Sequence, residues 1–211
     1  MLPGDRTAAG EGWSAVEPTI GASWFSTLQV PWWIAGGWAL DLYLGTQSRA
    51  HGDLDIGVLR RDITTVLAAL SSWEIVAAKD GALAPLRVGE TPHSAVHSFW
   101  CRPVGTTLWT LELMLDECVE GAWSYRREPS IQRPFSAMIQ RSPSGIPYLA
   151  PEIQLLYKAR SARARDQADF ELVGPRLGTP ARTWLVDSLV RTEARHPWIS
   201  ALTVDIRERT R

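Results

Sequence analysis

Cysteine is scarce: Cys101 and Cys118 are the two in 211 residues. Two cysteines make no disulfide framework. Both sit among apolar neighbours and read as buried free thiols of a reducing compartment. Net charge is scarce too, since 22 Lys+Arg against 23 Asp+Glu leave −1. A chain without a basic excess lacks the electrostatic footprint of a nucleic-acid binder. No apolar run approaches the ~18 residues that span a bilayer. The start, "MLPGDRTAAGEGW", has no apolar stretch of the secretory kind. The expected setting is the cytoplasm, with neither membrane nor nucleic acid as partner. His93, His97 and His196 show no metal-ligand spacing with cysteine or acid. Internal repeats and low-complexity tracts are missing as well.

What is present is ordinary globular material, with 45% apolar and 21% charged residues. The length suits one large domain or two small ones. Eleven tryptophans are many for this length. Most belong in a core, and a few could line a pocket for a ring-rich ligand.

Local patterns alternate between helix and strand. "IGASWFSTLQV" reads as a short helix and "PWWIAGG" as a buried strand ending at glycines. "GWALDLYLG" is a short helix stopped by Gly45, "TQSRAHG" a loop, and "DLDIGVL" a strand. "RRDITTVLAALSSW" carries helical spacing. Strand segments follow in "EIVAAKDG" and "APLRV", then "AVHSFWCR", "TLWTLELMLDE" and "AWSYRRE" as a meander with polar turns, with "SIQRPF" and "GIPYLA" as further short ones. The last third is helical. Pro151 suits a first helical turn, and Asp166 with Asp169 resembles a cap before "QADFELVGPRL". These patterns predict a loose start over residues 1–17 and an α/β part over 18–145. A helical region over 146–211 follows.

The chemistry concentrates in "DLDIGV". Side chains alternate across a strand, so Asp53 and Asp55 share one face while Leu54 and Ile56 take the other. Like charges about 7 Å apart repel unless a cation lies between them. Mg²⁺ suits such a pair, because it takes hard oxygens, usually one or two carboxylates, and completes its shell with phosphates. "TLWTLELMLDE" adds a third carboxylate. Trp109, Leu111, Leu113 and Leu115 share one parity, and Thr110, Glu112, Met114 and Asp116 the other. If this strand lies beside the first, Glu112 completes a triad able to hold two metal ions. Asp116 competes for that place. Alternatively, the aspartates cap a strand edge and Glu112 pairs with an arginine. Upstream, Gly36-Gly37 sits between strand and helix, where backbone N–H groups meet an approaching phosphate.

The stretch "GGWALDLYLGTQSRAHGDLDIGV" resembles the Gly-Gly…Asp-x-Asp signature of the nucleotidyltransferase superfamily that includes DNA polymerase beta. More narrowly it is similar to the aminoglycoside 2''-adenylyltransferase and lincosamide nucleotidyltransferase branch. The residues that carry the likeness are Gly36, Gly37, Trp38, Ala39, Asp41, Arg49, His51, Asp53 and Asp55. "LAPEIQLLYKARSARARDQADFELV" looks like the helical segment of the same proteins. The resemblance implies an α+β fold, with a mixed sheet carrying the metal site, flanking helices and a helical C-terminal segment. It implies Mg²⁺, two ions in the fullest form, and transfer of a nucleoside monophosphate from an NTP, first of all ATP, to a hydroxyl. The acceptor expected is a small polyhydroxylated molecule, an antibiotic first. AMP transfer to a protein, or nucleotide binding without catalysis, are the alternatives.

The resemblance also suggests Lys158 as a triphosphate contact, against a solvated helix lysine. Arg49 is a phosphate contact or a partner of Asp41. His51 orients Asp53 or a phosphate, or has neither role. "DECVEG" offers Asp116, Glu117 and Glu120 to a cationic acceptor, or is a solvated turn.

Overall fold

The computed structural model describes residues 12–79, 81–86 and 89–209, the last six by backbone alone. Residues 1–11 of the expected loose start, Asp80, and the Arg87-Val88 end of "APLRV" lie outside the described residues. Residues 12–14, expected to be loose, are tied instead to Trp109. Ser14 N–H donates to the Trp109 carbonyl at 2.7 Å, and Trp109 N–H to Gly12 at 3.0 Å. The physical reason is Trp13, whose ring meets Trp100 edge-on at 5.1 Å.

Helix α1, Pro18–Phe25, begins on its proline. Strand β1, Trp32–Ile34, runs into α2, Gly36–Leu44. Gly45 ends that helix at φ 72°, the left-handed backbone that glycine adopts without cost. Strand β2, Asp55–Leu59, leads through a single 3-10 turn to α3, Ile63–Ala69. The strands β3, Trp73–Lys79, β4, Ala82–Pro85, β5, Ser98–Pro103, and β6, Leu111–Asp116, follow. The short β7, Cys118–Val119, β8, Ala122–Ser124, and β9, Gln132–Pro134, form a separate three-stranded sheet. The chain thus leaves the expected meander after β6, because Trp123 buries against Tyr125, Tyr157 and Trp184. A one-turn helix α4, Phe135–Met138, then joins β10, Ile139–Arg141. The sheet runs on through β11, Pro147–Leu149. Helices α5, Pro151–Ala159, α6, Ala164–Val173, α7, Thr179–Thr192, and α8, Pro197–Arg209, close the chain.

Among the described residues the main sheet has eight strands, ordered β10-β11-β1-β2-β6-β5-β3-β4. It is mixed: β2 runs parallel to β6 and β1 parallel to β11, while the other neighbours are antiparallel. Register decides which residues share a face. Ile56 pairs with Leu113 and Phe99 with Leu113, so these apolar side chains stack on one side and form the main core. The row Asp55, Glu112, Trp100, Val76 lies on the opposite side. There Val76, Trp100 and Trp109 form a second, smaller apolar cluster with Trp13. The sheet is covered on both faces, which is why β2 and β6 are buried almost throughout instead of alternating.

Gly57 stands opposite Trp33 in the β1–β2 register. A Cβ on Gly57 would come within 2.0 Å of the Trp33 indole nitrogen. A strand glycine of this kind marks a close approach. Trp33 is fully buried and has nowhere to go. Gly57→Ala is therefore expected to cost about 1–3 kcal/mol of stability, the range for overpacking a filled core. Urea unfolding of the variant against the parent checks it; an unchanged midpoint would refute the packing.

Candidate active site

The site forms where β1 turns into α2. Gly36 has φ +66°, a backbone that only glycine enters cheaply, and a Cβ there would overlap Asp55 Oδ2 at 2.0 Å. The side chain of Asp55 thus lies directly over the glycine turn. Asp55 is also the register partner of Glu112 across the parallel β2–β6 pair. Glu112 N–H donates to the Leu54 carbonyl at 2.9 Å, locking that register. The Ser98 hydroxyl donates to Glu112 Oε1 at 2.5 Å and fixes the buried carboxylate. Asp53 sits just before the strand, half-buried, because β2 begins at Asp55 and not at residue 53.

Asp116 and Glu117 belong elsewhere. Asp116 is buried and accepts from Trp123 Nε1 at 3.0 Å and from the Tyr157 hydroxyl at 2.7 Å. Burial raises its pKa above the ordinary carboxylate value, and those two hydrogen bonds offset part of the rise. Glu117 pairs with Arg60. Of the two carboxylates that competed for the third position, Glu112 is the one beside Asp55.

The donor chemistry fits Mg²⁺. Two hard oxygen carboxylates occupy adjacent register positions on one sheet face, with glycine backbone pressed against one of them. Among the described residues, however, no three His, Cys, Asp or Glu side chains form a ready metal cage. Such a site suits an ion that arrives with a triphosphate supplying its other oxygens, as Mg²⁺ does.

The glycine turn is more committed than the sequence suggested. Gly36 N–H, expected to face a phosphate, donates to Gln154 Oε1 of α5 at 2.8 Å. A Cβ on Gly37 would meet the His51 ring at 2.4 Å and Arg49 Nη2 at 2.5 Å. Gly37 is thus needed so that these two side chains can reach the start of α2. His51 Nε2 is held by Asp41 Oδ2 at 2.5 Å, and its ring lies tilted against Trp38 at 4.3 Å. Asp41 also accepts from the Ser48 hydroxyl and N–H at 2.5 and 3.1 Å.

Arg49 does not pair with Asp41. Its Nε and Nη2 grip Asp169 as a fork at 2.9 and 3.1 Å, and Nη1 reaches His51 Nδ1 at 3.1 Å. Lys158 is no solvated lysine: its side chain is 8% exposed and pairs with Asp166 and Asp169, both at 2.9 Å. Asp166 does cap, as its spacing suggested, though the helix starts two residues earlier, at Ala164. It accepts the Arg163 backbone N–H at 3.2 Å as the third residue of α6. Asp169 lies inside the helix, buried, and does not cap. Gln154 and Ser98 drew no role from the sequence, and Asp169 was expected only as part of a cap. For Gln154 the available signal was a polar residue inside an apolar run, between Ile153 and Leu155.

This mixed sheet with flanking helices, carrying paired carboxylates beside a Gly-Gly turn, defines the nucleotidyltransferase fold. The family profile described as aminoglycoside-2''-adenylyltransferase matches residues 22–171, and the chain belongs to that family. Two solved structures share the fold. The lincomycin-bound lincosamide antibiotic adenylyltransferase LnuA is 18% identical, with TM-score 0.53 over 76% of this chain and 96% of that one. ANT(2'')-Ia in complex with adenylyl-2''-tobramycin is 13% identical, with TM-score 0.56 over 83% and 98%. Curated proteins give no significant match.

The ion-pair cluster makes a pH prediction. Burial alone would raise the Asp166 pKa, but hydrogen bonds from Arg163 and Lys158, and the Lys158 charge, outweigh it and hold it at about 2. A depressed carboxylate stabilises the fold above its ordinary 3.8 and loses that contribution as pH falls toward about 2. Thermal melts should therefore drop over that interval, and drop less in Asp166→Asn. Parallel pH profiles in the two proteins would refute the role.

Proposed function

We propose that the protein transfers AMP from ATP to a hydroxyl of a small molecule, an aminoglycoside or lincosamide antibiotic being the first class to test. The reading rests on one observation in a member of this family: Asp55 in register with Glu112, its carboxylate lying over the Gly36 turn. Asp53 and Asp55, with Glu112, are the residues that would hold Mg²⁺. Bound there, the ion supplies positive charge against the triphosphate and lowers the pKa of the acceptor hydroxyl. The chain's own residues do the rest. Beyond the Gly36 N–H that Gln154 holds, the first turn of α2 offers backbone N–H groups to phosphate, and Arg49 and Lys158 add fixed cations. Glu112, oriented by Ser98, takes the proton of the acceptor hydroxyl as that oxygen attacks the α-phosphorus. Pyrophosphate leaves on the opposite side. Catalysis of this kind is mostly positioning and charge neutralisation. The division of labour follows the chain: 18–145 carries the carboxylates, and 146–211 adds strand β11 to the sheet and then the helical cover with Lys158.

The test is mass spectrometry of antibiotics incubated with the protein, ATP and Mg²⁺, read for a gain of one AMP. Asp53→Asn and Asp55→Asn are each expected to lower the rate on the order of 10³-fold, equivalent to several kcal/mol of lost transition-state stabilisation. The same Asp55→Asn variant should melt no lower than the parent without nucleotide, because it removes one of two neighbouring like charges. A variant that keeps full turnover, or unfolds more easily, rejects the metal-site reading.

A further inference from the structure

Asp169 lies far along the chain from the carboxylates, yet it reaches both cations of the nucleotide site. Its side chain is 4% exposed. One oxygen takes Arg49 Nε, and the other takes Arg49 Nη2 together with Lys158 Nζ. Burial pushes the carboxyl upward, but Arg49 and Lys158 more than reverse that and keep it ionised. Arg49 is held in turn by the Ala50 carbonyl and His51. A guanidinium has five N–H donors and an ammonium three. Among the described residues, four of the Arg49 donors and two of the Lys158 donors have partners. Each cation is thus fixed in place with one donor to spare. Arg49 Nη2 stands where a side chain on Gly37 would be, at the first turn of α2. Lys158 is linked to that turn through Asp169 Oδ2, the oxygen it shares with Arg49 Nη2.

Resting on the nucleotidyltransferase reading above, we propose that Asp169 is the positioning residue of the nucleotide site: its carboxylate holds Arg49 and Lys158 together for the triphosphate. Charge and position make opposite predictions here. Removing a carboxylate next to two cations raises the local positive potential. If Arg49 and Lys158 acted as charge alone, neutralising Asp169 would tighten nucleotide binding. If Asp169 sets their geometry, neutralising it loosens both cations and weakens binding. If it only staples α6 to the loop before β2, affinity stays the same and stability alone falls.

The experiment titrates the full chain with Mg-ATP, and separately with inorganic tripolyphosphate, in the parent, Asp169→Asn and Asp169→Glu. Melts without ligand are recorded for each. The expected result is ATP and tripolyphosphate binding weakened at least tenfold in Asp169→Asn, with the KM for ATP rising by a similar factor and kcat changing less. Asp169→Glu keeps the charge but displaces it by one methylene. It should fold if the amide does not, and should bind both ligands at least threefold more weakly than the parent. Unchanged affinity in the variant that folds reduces Asp169 to a staple and overturns the proposal. Tighter binding overturns it in favour of charge alone. A parent that binds neither ligand refutes the nucleotidyltransferase reading itself, and the proposal with it, at the first titration.

Discussion

Two carboxylates are fixed side by side by a parallel strand pair, and the rest of the site is arranged around that repulsion. Asp55 and Glu112 are partners in the β2–β6 register, at the centre of an eight-stranded sheet. Like charges at facing positions weaken a sheet. The fold tolerates them because the surrounding strands are buried on both faces and supply apolar contact in compensation. On the proposed function, this pair is where a cation and its phosphates would bind.

Around this pair, each loop side chain is tied back to a helix. Gly36 leaves space for Asp55, and its N–H is held by Gln154 of α5. Gly37 leaves space for His51 and Arg49, which are held by Asp41 of α2 and Asp169 of α6. The loop between α2 and β2 is therefore gripped from two helices, α2 and α6, and the β1–α2 turn from a third, α5. Flexible loops make imprecise sites, and supporting contacts of this kind hold groups to the geometry that phosphoryl transfer needs.

The sheet also divides its two faces by task. The Ile56–Leu113–Phe99 side builds the main core. The Asp55–Glu112 side carries the charged pair and, one strand further, the edge-on stack of Trp13, Trp100 and Trp109. Arg102 lies over the Trp109 ring at 4.2 Å, closing that cluster with a cation–π contact. Many of the tryptophans are thus structural, used to cover a sheet whose site face cannot be uniformly apolar.

Read without its fold, the sequence already carries the family signature, the helix stop at Gly45, the strand that carries Asp55, and the parity that sets Glu112 apart from Leu111 and Leu113. These are local properties: backbone permissiveness at glycine and a period of two along a strand. It favoured Glu112 but kept Asp116 as a competitor, since they share a parity. Only tertiary structure separated them, by giving Asp116 to Trp123 and Tyr157 and leaving Glu112 in register with Asp55. The partners of Arg49 and Lys158 were likewise undecided. Asp169 lies 120 residues from Arg49 along the chain, and Gln154 lies 118 residues from Gly36. Contacts at such separation have no local period or spacing to betray them, because they are set by how helices dock on the sheet after the elements have formed.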